Sequence, residues 1–106
     1  MSLERRYSSR HPVDVRVHIR YRKRRFYCAQ ARNLSSDGMY LDVQSVTLPT
    51  GTLVELELDF QGRDRLIPAV VVHHQGSGVG VMFRNTQTRL LRVLTRSPSL
   101  TTPPLT

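Results

Sequence analysis

Apolar and polar side chains alternate strictly along residues 13–21, with Val13, Val15, Val17, Ile19 and Tyr21 on one side and charged or polar groups between them. A period of two over this length predicts a strand with one buried face, and it puts Tyr21 on that inward face. Arg22-Lys23-Arg24-Arg25 breaks the pattern as a solvated hairpin connection would, and residues 26–31 resume it as a second strand. Residues 38–43 read as a third, followed by turn chemistry in Leu48-Pro49-Thr50-Gly51. Val54, Leu56, Leu58 and Phe60 then alternate with Glu55, Glu57 and Asp59, a fourth strand whose carboxylates are expected to be solvated. Gln61-Gly62-Arg63-Asp64 predicts a hairpin into a fifth strand over residues 66–74. Pro68 has no N–H to give a ladder, so that strand is expected at an edge or to carry a bulge there. Gln75-Gly76-Ser77-Gly78 turns the chain into a last strand over residues 79–84.

Five or six short antiparallel strands without a βαβ rhythm predict an all-β fold, a small barrel or sandwich. The barrel is favoured, because closure protects edges that so short a chain cannot otherwise cover. The period changes over residues 86–96, where Leu90, Leu91 and Leu94 fall on one side of a short C-terminal helix and Thr86 or Thr88 is placed to cap it. Residues 97–106 hold three prolines and little apolar content and read as a disordered tail. The 106 residues suit a single domain, taken as residues 3–96.

The formal charge is +8, and its placement matters more than its size. Residues 1–32 carry ten Lys or Arg against Glu4 and Asp14, whereas residues 33–106 are balanced, six against six. Cys28 is the only cysteine, which excludes an internal disulfide and a CxxC metal site. His73 and His74 are adjacent on a strand and face opposite ways, which argues against one metal bound by both. No Ser-His-Asp spacing, P-loop or zinc motif is present, so the expectation is a binding protein and not an enzyme, without metal or cofactor. The charged first residues do not form a secretory signal, and no apolar run reaches the length of a membrane span, so a cytoplasmic location is expected.

Within the basic third lies Arg6-x-x-x-Arg10, and beyond it Asn33-x-Ser35-x-x-Gly38. Two arginine forks can hold phosphate oxygens bidentately and lie flat on a purine. Asn33 adds a donor and an acceptor, Ser35 a hydroxyl, and Gly38 either a positive φ or room for a ligand beside the main chain. This pair of motifs resembles the signature of the PilZ domain family, bacterial receptors for cyclic di-GMP, in which RxxxR is followed at about this distance by [DN]xSxxG. The resemblance covers most of the chain. It implies a six-stranded antiparallel β-barrel with a C-terminal helix, cyclic di-GMP as ligand, and a site formed by Arg6, Arg10, Asn33, Ser35 and Gly38, with Arg5 beside them. Arg32 and one of the histidines, His74 among them, are further candidates for lining the pocket. Asp37 is read as turn chemistry, and Gly78 and Gly80 as structural glycines before the last strand.

The expected mechanism is ordering: residues 1–12, rich in charge and poor in apolar anchors, are mobile until ligand neutralises and clamps them. With no effector domain in the sequence, the output is expected to pass to another protein, in signalling of the kind that governs motility and biofilm. Two other readings compete. A basic barrel could bind RNA or DNA through the arginines of residues 20–25 and Arg32, stacking bases on Tyr21, Phe26 and Tyr27, but the inward placement of Tyr21 weakens this. A PilZ-like adaptor for pilus assembly or motility could have lost the nucleotide, against which the intact motif speaks.

Overall fold

A computed structural model describes residues 10–44, 48–60 and 62–101. The strands are β1 (His11–Tyr21), β2 (Arg24–Leu34), β3 (Gly38–Asp42), β4 (Leu53–Phe60), β5 (Arg63–Gln75) and β6 (Gly78–Phe83), followed by the helix α1 (Thr88–Thr101). They form one closed antiparallel barrel in the order β1-β2-β3-β6-β5-β4, and β1 closes it against β4 through pairs such as Ile19↔Leu56. The alternating positions meet inside: Val17, Ile19, Leu41, Leu56, Val71 and Val81 are buried in a single apolar core. Val13 and Val15 pack against it from the open end of β1.

The alternation fails at Tyr21, which is 38% exposed and not inward. The β1–β4 ladder has ended one residue earlier, at Arg20↔Glu55, so Tyr21 lies past the closure with no opposite wall to face. Of the four basic residues read as a solvated connection, only Arg22 and Lys23 form the turn, while Arg24 and Arg25 begin β2. Both turn residues are left-handed, with φ of 54° and 68°. Two-residue hairpins favour this conformation because it matches the strand twist, but they normally place Asn or Gly there. Arg20 holds the turn in place by donating from Nη2 to the Lys23 carbonyl at 2.9 Å.

Glu57 also departs from the pattern. It lies on the outer face of β4 but is only 8% exposed, so it is not one of the solvated carboxylates expected there. Arg25 donates to it from Nη2 at 2.8 Å and Nε at 3.2 Å, and Arg20 from Nη1 at 3.4 Å, roofing it over. The Arg25 hydrogen bonds, and next the charges of Arg25 and Arg20, hold the Glu57 carboxyl below the usual glutamate range against the opposing effect of burial. A depressed folded-state pKa contributes stability that is complete above the ordinary value, about 4.3, and is lost as pH falls through the folded value. Urea unfolding should therefore find Glu57→Gln less stable than the parent at pH 7, with the gap closing below about pH 4. A gap of equal size at pH 7 and pH 3 would show that the carboxylate charge contributes nothing.

Pro68 sits at neither an edge nor a bulge. It pairs with Glu55 across β4 and its carbonyl accepts from Arg84 N–H at 3.0 Å, just past the last β5–β6 pair, Ala69↔Phe83. Carbonyl and nitrogen of one strand residue point the same way, so the missing N–H falls where β6 has already ended. The β5 irregularity lies elsewhere, between Val71 and His73.

The helix buries Leu90 and rests Leu91, Val93 and Leu94 against the core. Gln87, not Thr86 or Thr88, stands at its start: its carbonyl accepts Leu91 N–H at 3.1 Å. The helix runs to Thr101, so residues 97–101 of the segment read as a tail continue its backbone, and residues 102–106 lie outside the described residues. The apolar period that marks a helix in sequence fades after Leu94, whereas the backbone hydrogen bonding does not depend on it.

Candidate functional site

Register decides which side chains share the outer face around Asn33. Cross-strand pairs run Pro12↔Asn33, Asn33↔Tyr40, Tyr40↔Gly80 and His73↔Gly80, so these five residues form one row across β1, β2, β3, β6 and β5. The position between Tyr40 and His73 has no side chain. A Cβ on Gly80 would lie 2.3 Å from His73 Cε1, so the imidazole occupies the space that glycine leaves. Gly78 does the same for Tyr40, whose hydroxyl would meet an added Cβ at 2.4 Å and which instead donates to the Gln75 carbonyl at 2.5 Å. Over this row the segment preceding β1 lays Arg10, whose Nη1 donates to Asn33 Oδ1 at 2.5 Å. The result is an open cavity of about 450 Å³ lined by Arg10, Asn33, Tyr40, His73, Gln75 and Gly76. That volume is within the range of small-molecule sites.

Ser35 and Gly38 are placed differently from Asn33. The Ser35 hydroxyl is buried, 2% exposed, and accepts the N–H groups of Asp37 and Gly38 at 3.1 Å each. Its backbone N–H donates to the Gly38 carbonyl at 2.9 Å, which closes the β2–β3 turn. Gly38 does not adopt a positive φ. A Cβ there would fall 2.1 Å from the Val81 carbonyl oxygen, so glycine is required for the close approach of β3 to β6. The same turn offers two carbonyls to later parts of the chain: Asp37 accepts from Phe83 N–H and Ser36 from Gln87 N–H, both at 2.7 Å.

Arg5 and Arg6 lie outside the described residues. Arg32 is not in the cavity, because the β2–β3 register shifts between Ala31 and Asn33 and turns its side chain toward Asp14 and Asp42, at 3.5 and 3.7 Å. His74 is also elsewhere, hydrogen-bonded to the Leu48 carbonyl. Of the two histidines it is His73 that lines the cavity, together with Tyr40 and Gln75, which the sequence did not single out for the site. The only sequence signal for them is indirect, the glycines at 78 and 80 that make room for both rings. Mobility expected for residues 1–12 does not extend to His11 and Pro12, which are paired with Leu34 and Asn33 in the β1–β2 ladder. Among the described residues no group of three His, Cys, Asp or Glu could hold a metal, and no helix is long and apolar enough to cross a membrane.

The barrel is similar to solved structures. One is the PilZ domain of CeSA from a cellulose-synthesizing bacterium, with a TM-score of 0.64 at 15% identity over 85% of this chain and 94% of that one. Another is an uncharacterized Legionella protein, with a TM-score of 0.58 at 14% identity over 87% and 96% of the two chains. At these identities the likeness concerns the fold. No curated protein matches the sequence. The PilZ domain family model matches residues 4–97 and so takes in both motifs, the whole barrel and most of the helix; the chain belongs to the PilZ domain family.

Proposed function

We propose that this protein is a receptor for cyclic di-GMP, the general ligand of PilZ domains, and that it binds the nucleotide in the cavity beneath Arg10. The observation that supports this most is the meeting of the two motifs: Arg10 and Asn33, 23 residues apart, join at 2.5 Å beside a cavity flanked by Tyr40 and His73. The ligand carries two phosphodiester charges and two guanines, whose N7 and O6 acceptors suit an arginine fork. Arg10 spends one donor on Asn33 and keeps the others for phosphate or base. Tyr40 and His73 offer ring faces and edges at the flanks, and Arg5 and Arg6 supply further cations. Ser35 and Gly38 serve by holding the turn that presents Asn33. Binding neutralises the arginine cluster and clamps the segment up to Arg10, beyond which the β1–β2 ladder is already fixed. The altered surface then passes the signal to a protein partner inside the cell.

Isothermal titration of the purified protein tests this. Saturable heat is expected with cyclic di-GMP and not with GTP or cyclic AMP at equal concentration. No saturable heat with cyclic di-GMP at micromolar protein would sink the reading.

A further inference from the structure

Away from the nucleotide cavity, the outer wall carries a second row whose side chains are apolar. Leu53, Val70 and Met82 are cross-strand neighbours on β4, β5 and β6, and Leu53 and Met82 are 61% and 50% exposed. At the Leu53 end the row opens into a cleft of about 640 Å³ between the β1–β2 hairpin and the start of β4. Arg22, Lys23 and Arg84 line that cleft and have no acidic partner among the described residues. The one carboxylate lining it, Glu55, already faces Arg20 at 3.7 Å. Two of the three cations occupy the left-handed hairpin positions, where Asn or Gly would relieve the strain. Strain of this kind persists at sites that use the side chain it displays.

The geometry points to a docking surface for an acidic protein segment with apolar anchors, seated in the cleft and along Leu53, Val70 and Met82. Charge complementarity selects the occupant: three cations in the cleft, without an acidic partner among the described residues, suit carboxylates, and the row leading away from it suits aliphatic or aromatic side chains. A single-stranded nucleic acid fits less well. It needs free aromatic faces, yet the Arg22 guanidinium covers Tyr21 at 5.2 Å from the ring centroid, Phe26 is tilted 60° against that ring, and the row itself is aliphatic and thioether. A closed barrel offers no free strand edge, so recognition rests on side chains and not on strand addition.

Selection of displayed random 12-residue peptides on the intact protein, without nucleotide, tests this separately from the cyclic di-GMP reading. Recovered peptides should carry Asp or Glu around Leu, Ile or Phe. Leu53→Asp, Met82→Asp and Lys23→Glu should each weaken the best of them about tenfold or more, while Arg92→Glu on the helix leaves binding unchanged. Circular dichroism melts confirm which variants fold, and both Leu53 and Lys23 are surface positions. The inference is overturned if no peptide is enriched, if enriched peptides lack acidic residues, or if the folded variants bind like the parent. Dimerisation abolished by Leu53→Asp would give the surface to a second copy instead, and binding of a fifteen-residue oligothymidine abolished by it would give the surface to nucleic acid.

Discussion

Arg10→Ala is expected to weaken cyclic di-GMP binding by about 1.5–3 kcal/mol, the range for a hydrogen bond to a charged group, or roughly 10- to 150-fold in Kd. The side chain is exposed and its one described contact is the bond to Asn33, so removing it takes a ligand group away without opening the core. The fold should therefore be nearly unaffected, with an unfolding free energy within about 0.5 kcal/mol of the parent, as for other surface substitutions. Paired titration and urea unfolding of parent and variant separate the two effects. A variant that bound with parental affinity would remove Arg10 from the site. One that lost stability and affinity together would make its role that of a strut.

Gly38→Ala should behave in the opposite way. Its added methyl would lie 2.1 Å from the Val81 carbonyl oxygen and 3.2 Å from the carbonyl carbon, and both are main-chain atoms in a paired strand. No rotamer can relieve that contact. The β3–β6 ladder, which holds Gly38 opposite Met82, must itself shift. Overpacking of this kind costs about 3 kcal/mol, the upper end of the ordinary range. The denaturation midpoint should fall accordingly, while the molecules that remain folded keep most of their affinity, because Gly38 is buried and is not among the residues that line the cavity. Stability within about 0.5 kcal/mol of the parent would mean that the close approach of the strands is not a constraint.

The contrast between these two motif positions shows what a sequence can carry. Both arginine and glycine stand out in the pattern, but the pattern does not say which lines the cavity and which only lets two strands meet. Strand existence was legible because alternation reports one buried face, and it held along β1 up to Ile19. It failed at Tyr21 because alternation carries no information about where the opposing wall stops. It failed at Glu57 for a related reason: outward is not the same as solvated when two arginines from neighbouring strands reach over. Tyr40 was illegible as a site residue, and His73 could not be chosen over His74, because both choices depend on register. Tyr40 comes beside Asn33 through a ladder with a shift at Ala31, and His73 comes opposite Gly80 through another shift after Val71. A single-residue slip at either place would have brought different side chains to the cavity. Pro68 misled because the rule about edges concerns a missing donor, and a ladder that simply ends leaves that donor unneeded.

The β2–β3 turn has a consequence for the nascent chain. The recognition motifs are complete once Gly38 has been made, but the turn takes donors from Phe83 and Gln87, and the cavity needs His73 and Gly80. At ribosomal speeds of about 5–20 residues per second, the interval between motif and site is roughly 3–10 seconds, during which the motif residues are present without the cavity. A chain stalled or cleaved between β3 and β5 would keep the signature in full without the cavity that it helps to build.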